Sequence, residues 1–271
     1  MSVVEEIREQ QKKALSTMTS REKLAYFWDY YKIHTLVAVI LISMTVVFIH
    51  QYVTNKDYAF YATLINAEQT ETNYDLATVM SEEFLTYAQI DPDEYTVYID
   101  TSVTLSQDMS SQYAVSSQEK MLAMMQVGTV SAMVADTETF EEYAQFEYFY
   151  NLESLLTPEE TEKYRPYFYY TDAASIDQGD DDTYYDVTER FDPSTLVIDH
   201  RDPSTMEKPV AVGIVLTEDN TIAQAGYYAY LKTLNTQYQG YPSDAVLGIP
   251  VTFKNPELAV RFLEFIKLGD S

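Results

Sequence analysis

Apolar and polar positions follow three rhythms along this chain, and the longest uninterrupted apolar run comes early. Residues 33–55 are 23 residues without a Lys, Arg, Asp or Glu, centred on the stretch from Leu36 to Ile49. At about 1.5 Å per helical residue the run extends roughly 35 Å, enough to cross a hydrocarbon core of about 30 Å. It holds neither Gly nor Pro, and Ser43 and Thr45 can bond back to their own turn. A buried core helix could have the same length. The aromatics Tyr26, Phe27, Trp28, Tyr30 and Tyr31 before the run and Tyr52 near its end instead suit a belt at two membrane interfaces. The pattern predicts one transmembrane signal-anchor helix over 33–55. No small-x-small cleavage pattern follows it, and the absence of Cys excludes a lipid-anchored lipoprotein.

Upstream, residues 3–18 place Val4, Ile7, Ala14, Leu15 and Met18 on one helical face, a short amphipathic segment. Thr19 followed by Glu22 has the spacing of a capping box that restarts the helix.

Past residue 56 strand and helix rhythms alternate. The β-rich runs 58–66, 95–101 and 130–135 predict three strands, separated by helical spacing over 71–89 and 109–127. Met121, Met124 and Met125 read as core filler, and Gly128 suits the position just past a helix end. Strand-helix-strand-helix-strand implies a parallel sheet with right-handed crossovers. A short helix over 137–144 follows, then a helix capped by Thr157 with Pro158 in its first turn. Residues 164–170 are intensely aromatic, and 171–208 are acidic and rich in turn formers, the pattern of a long surface excursion. Regular structure resumes with a strand over 209–216, a helix over 221–234 and a strand over 245–253. Asn255 and Pro256 then open a last helix running to 268, whose Leu258, Phe262, Phe265 and Ile266 form an apolar stripe.

Charge orients the chain. Residues 1–34 carry six Lys/Arg and five Asp/Glu, whereas 35–271 carry 11 and 38. Basic residues flanking a span stay inside, so the N-terminus is expected in the cytoplasm and residues 56–271 outside, on a single-pass cell-membrane protein. A net charge of −27 on the outer part argues against nucleic acid and anionic lipid as ligands.

The chemistry of common enzymes is missing. One His, His200, lies in the outer domain and there is no Cys, so neither a catalytic triad nor a zinc set can be built. No G-x-S-x-G or phosphate-cradling loop occurs, and with 38 acids some carboxylate pair is inevitable. The acidic loop 177–186 lacks the EF-hand spacing and reads as solvated. The tyrosines at 164, 167, 169, 170, 227, 228 and 230 suit either half-buried packing or stacking on a ligand. The expectation is a non-enzyme with no cofactor and no metal site.

One resemblance covers most of residues 58–268. Val246-Leu-Gly-Ile, then Lys254-Asn-Pro-Glu-Leu-Ala and Phe262-Leu, looks like the return strand and helix of extracellular solute-binding proteins, the type II periplasmic-binding-protein fold. Gly128, the strand after it and residues 149–156 resemble that family's third strand and following segment. The aromatic run at 26–32 is similar to that of uncharacterised membrane-anchored members from Gram-positive anaerobes. The family often has Asp where Ser131 stands, and it usually gives its second lobe more residues than 136–244.

The resulting expectation is an α/β, periplasmic-binding-protein-like ectodomain with a mostly parallel sheet and room for a reduced second lobe. Residues 1–32 are the cytoplasmic segment and 33–55 the anchor. Lobe 1 comprises about 56–135 and 245–271, and the second lobe or excursion about 136–244. Two functions remain open: a solute-binding module, or an interaction or scaffold protein that serves a membrane complex without a small ligand. Open α/β sheets bind at the carboxyl ends of their strands, which nominates Asn66, Thr101, Asp136 and Glu218 as ligand-binding residues.

Overall fold

The structure, a computed structural model, describes residues 9, 12, 16, 18–105, 112–176, 199–237 and 244–266. The predicted amphipathic segment 3–18 therefore lies largely outside the described residues, as does the acidic loop 177–186. The chain divides at Lys56 into two compact units.

The first unit is dominated by helix α1, Ser20–Thr54. Its start is the predicted capping box: the Thr19 hydroxyl accepts from the Glu22 backbone N–H at 3.4 Å, and Glu22 Oε2 accepts from the Thr19 backbone N–H at 2.8 Å. Thr45 donates its hydroxyl to the Leu41 carbonyl at 2.8 Å, which satisfies a polar group without leaving the helix. Within α1, Tyr31–Gln51 is long and apolar enough to cross a membrane, and none of it is buried.

The second unit is built on one six-stranded sheet. Strand β1 is Asp57–Leu64, β2 Tyr95–Asp100, β3 Ala132–Asp136, β4 Phe168–Asp172, β5 Pro209–Val215 and β6 Ala245–Gly248. Their order across the sheet is β2-β1-β3-β6-β5-β4. The β1–β2 and β1–β3 pairs are parallel, whereas β3–β6, β6–β5 and β5–β4 are antiparallel. The sheet is thus mixed, not mostly parallel as expected. The cause is visible after β5. The residues read as one helix over 221–234 break at Gly226, which sits at φ +80°, into Thr221–Gln224 and helix α6. Such short pieces do not carry the chain back across the sheet, so β6 starts from the edge at which β5 ended and runs antiparallel to it. The residues expected to form a second lobe or excursion, 136–244, contribute β4 and β5 to this same sheet.

Helices cover both faces. In chain order those of seven or more residues are α2, Leu76–Tyr87; α3, Gln112–Gln126; α4, Thr137–Ala144; α5, Pro158–Tyr164; α6, Ala229–Gln237; and α7, Pro256–Phe265. On one face Phe60 of β1 meets Phe84 of α2 and Phe262 of α7, with ring centroids 4.8 and 4.9 Å apart. All three rings are fully buried, and Leu258 and Ile266 join them, so the predicted stripe of the last helix closes the core begun by the first strand. Burying a side chain of this size contributes about 1.5–3 kcal/mol. On the other face Met121 and Met125 of α3 and Phe140 of α4 pack with Ile65 and Met133. The methionines are core filler, as read.

Two glycines decide how closely α4 approaches. Gly213 of β5 and Gly248 of β6 are paired across the sheet. A Cβ on either would come within 2.7 Å of the Phe140 ring, and one on Gly248 also within 2.6 Å of Phe149. The missing side chains make a trough in which Phe140 and Phe149 stack, 4.4 Å apart and 3° from parallel. Ser131, at the entry to β3, makes two bonds with Tyr61: its N–H donates to the Tyr61 carbonyl at 2.7 Å and its hydroxyl accepts from the Tyr61 N–H at 3.0 Å.

Candidate functional site

Because β6 is antiparallel to both β3 and β5, strand β5 runs in the same direction as β1, β2 and β3. The carboxyl ends of four strands therefore share one sheet edge. The nominated residues fall along it in the order Thr101, Asn66, Asp136 and Glu218, following β2, β1, β3 and β5.

Two of them meet. Asn66 turns the chain after β1 with φ +58°, a left-handed conformation that Asn adopts more readily than most residues. Its Oδ1 accepts from the Leu105 N–H at 2.9 Å, and its Nδ2 donates to Asp136 Oδ2 at 3.1 Å and Thr139 Oγ1 at 3.2 Å. Asp136 caps α4, accepting from the Thr139 N–H at 2.9 Å. The Thr139 hydroxyl donates to Asp136 Oδ2, also at 2.9 Å.

Around this knot opens a cleft of about 440 Å³, lined by Asn66, Leu105, Asp136, Glu138, Thr139 and Tyr230, with Ala67 and Thr104. Two carboxylates, Asp136 and Glu138, line its α4 side, and Glu142 of the same helix lies outside the lining. Packing around the Glu142 carboxyl and the like charges of Glu138 and Asp136 raise its pKa, although the residue as a whole is exposed. Such a cleft can hold a small polar or cationic group against acids and amide oxygens, with the Tyr230 ring as an apolar wall.

The other two nominated residues stand outside the cleft lining. The Thr101 hydroxyl accepts from Gln69 Nε2 at 2.6 Å. Glu218 pairs with Lys232 at 2.6 Å, both well exposed, and the hydrogen bond and charge of Lys232 lower its pKa. Exposed pairs of this kind contribute little to stability.

Glu138, Thr139 and Leu105 were not foreseen as lining residues. The Asp136-x-x-Thr139 spacing is a capping signal and could have brought Thr139 in; nothing local marks Leu105. Most of the conspicuous tyrosines are structural. Tyr228 is buried and its hydroxyl donates to the Ile65 and Val134 carbonyls at 2.9 and 3.0 Å, fastening the ends of β1 and β3. Tyr169 is likewise buried and donates to Glu141 Oε2 at 2.8 Å, with His200 stacked on its ring at 4.6 Å. Tyr230 alone of the seven lines the cleft. Among the described residues no group of three His, Cys, Asp or Glu is placed to hold a metal ion.

Compared with protein-family models, curated proteins and solved structures, the chain matches none of them.

Proposed function

We propose that the protein is a non-enzymatic binding module, held at the outer face of a membrane by α1 and taking a small polar solute in the cleft beside Asn66 and Asp136. The observation that carries this reading is the position of the cleft: it opens at the carboxyl ends of β1 and β3, where open α/β sheets bind their ligands. The return of β6 beside β3, with α7 closing the first core, supports kinship with the type II periplasmic-binding fold. The Lys/Arg bias before residue 33 supports an extracytoplasmic second unit.

An interaction or scaffold role is favoured by one feature: Asn66, Asp136 and Thr139 already satisfy one another. Thermal-shift screening of the full chain in detergent against sugars, peptides, amino acids and cations separates the two. A saturable stabilisation by one chemical class is expected of a solute-binding module. A flat response across all four classes argues for the scaffold.

A further inference from the structure

The first two strands carry an aromatic cluster that the cleft does not use, extending from the start of β1 to the middle of both strands. Tyr58 lies 5.2 Å from Tyr61, ring to ring, and Tyr98 lies 5.5 Å from Tyr61 and 6.1 Å from Tyr58. A bulge in β1 between Tyr58 and Phe60 brings Tyr58 onto the same face as Tyr61, three residues later. Tyr61 is buried, but Tyr58 and Tyr98 are 52% and 46% exposed, a large aromatic area for water to cover. Burial, the hydrogen bond it donates to Asp100 and the charge of that carboxylate hold the Tyr61 phenol well above its ordinary pKa, and burial with the Asp100 charge raises that of Tyr98.

The second observation is covalent. Helix α1 ends at Thr54 and β1 begins at Asp57, so only Asn55 and Lys56 intervene. At no more than about 3.6 Å per residue, the start of β1 stays within roughly 11 Å of the helix end at any angle between them. A membrane-spanning α1 thus keeps this end of β1 at the bilayer surface. Tyrosine, with an apolar ring and a polar tip, is the side chain enriched at that depth.

We propose that Tyr58 and Tyr98, backed by the buried Tyr61, form an interfacial contact resting among uncharged or zwitterionic lipid headgroups. The proposal rests on α1 crossing a membrane, and it adds a surface the binding reading does not require. The acidic unit disfavours anionic headgroups, so the partner is a bilayer such as phosphatidylcholine.

The absence of native Cys permits single-site spin labels on the full chain in phosphatidylcholine nanodiscs. Glu94→Cys reports the start of β2, level with the start of β1 and nearest Tyr58; Tyr74→Cys reports the opposite edge, and Ser43→Cys the helix. The label at 43 is expected in the oxygen-rich core. The label at 94 should show several-fold less collision with a water-soluble nickel chelate than the label at 74. Tyr58→Ser with Tyr98→Ser should return the label at 94 to the water-exposed value. A core label at 43 with a water-exposed label at 94 overturns the proposal alone. A label at 43 outside the core overturns the membrane reading and the proposal together. A label at 94 shielded from both nickel and oxygen, or one unmoved by the serines, assigns the surface to a protein contact and overturns it as well.

Discussion

The side-chain amide of Asn66 donates to Asp136 Oδ2 at 3.1 Å, joining the ends of two parallel strands that lie 70 residues apart in sequence. One residue turns the chain, holds the Leu105 loop and buttresses the cap of α4. Asn66→Ala loses all of these bonds and puts at positive φ a residue that adopts it less readily than Asn. The expected loss is about 4–5 kcal/mol, from roughly 1 kcal/mol for each of the three bonds and 1–2 for the conformation. Asn66→Gly should recover the conformational part and fall between the two in chemical denaturation. Equal stability of the alanine and glycine variants would show that the backbone strain is not real.

Gly248→Ala is a sharper test of the fold. The added methyl must push into Phe149 and Phe140, whose stacked rings have strands on one side and α4 on the other. Overpacking of this sort costs about 1–3 kcal/mol. Pairing Gly248→Ala with Phe149→Leu should return part of that loss, a coupling readable in a double-mutant cycle.

The C-terminal return should be indispensable. Removing 245–271 takes β6 from between β3 and β5 and α7 from the Phe60–Phe84 core. The truncated chain is expected to show no cooperative melting of the second unit. Phe262→Ala alone should cost about 3–5 kcal/mol. A truncated chain that melts near the full-length temperature would make the return an appendage.

Asp100 predicts an acid dependence. It is buried, which by itself would raise its pKa, but hydrogen bonds from Ser102 and Tyr61 and the charge of Lys120 outweigh that and lower it below 3.8. A carboxylate depressed in the folded state stabilises the fold above its unfolded pKa and loses that contribution as pH falls through the folded value. The stability advantage of the wild type over Asp100→Asn should therefore be full at neutral pH and shrink below about pH 4. An advantage that stays constant from pH 7 to pH 3 would contradict the assignment.

Much of this architecture is legible in the chain, and the failures have identifiable causes. The capping box at Thr19, the N-cap at Thr157, the helix over 137–144 and the apolar stripe that includes Phe262 and Ile266 are local signals, and each forms as read. The partner of β3 was not legible, because whether the chain crosses the sheet depends on where a helix breaks, and Gly226 gave the only hint. Strand β4 was missed for a different reason. Its five residues carry β-prone aromatics, but they sit between a tight turn at Arg165–Tyr167 and an acidic, turn-rich stretch that dilutes the pattern. Of the site, the strand-end rule places Asn66 and Asp136 in one cleft but cannot tell that Gln69 occupies Thr101 or that Lys232 pairs Glu218.

The most direct test of the binding reading is a titration of full-length protein with whichever compound stabilises it in the thermal-shift screen, repeated on three variants. Glu138→Gln and Tyr230→Ala alter the cleft without touching the Asn66–Asp136 bond, whereas Glu218→Gln changes the same sheet edge outside it. Saturable binding that weakens at least about tenfold, roughly 1.4 kcal/mol, in both cleft variants and is unchanged in Glu218→Gln is the predicted result. Binding that survives both cleft variants, or no saturable binding by any compound, would contradict the account.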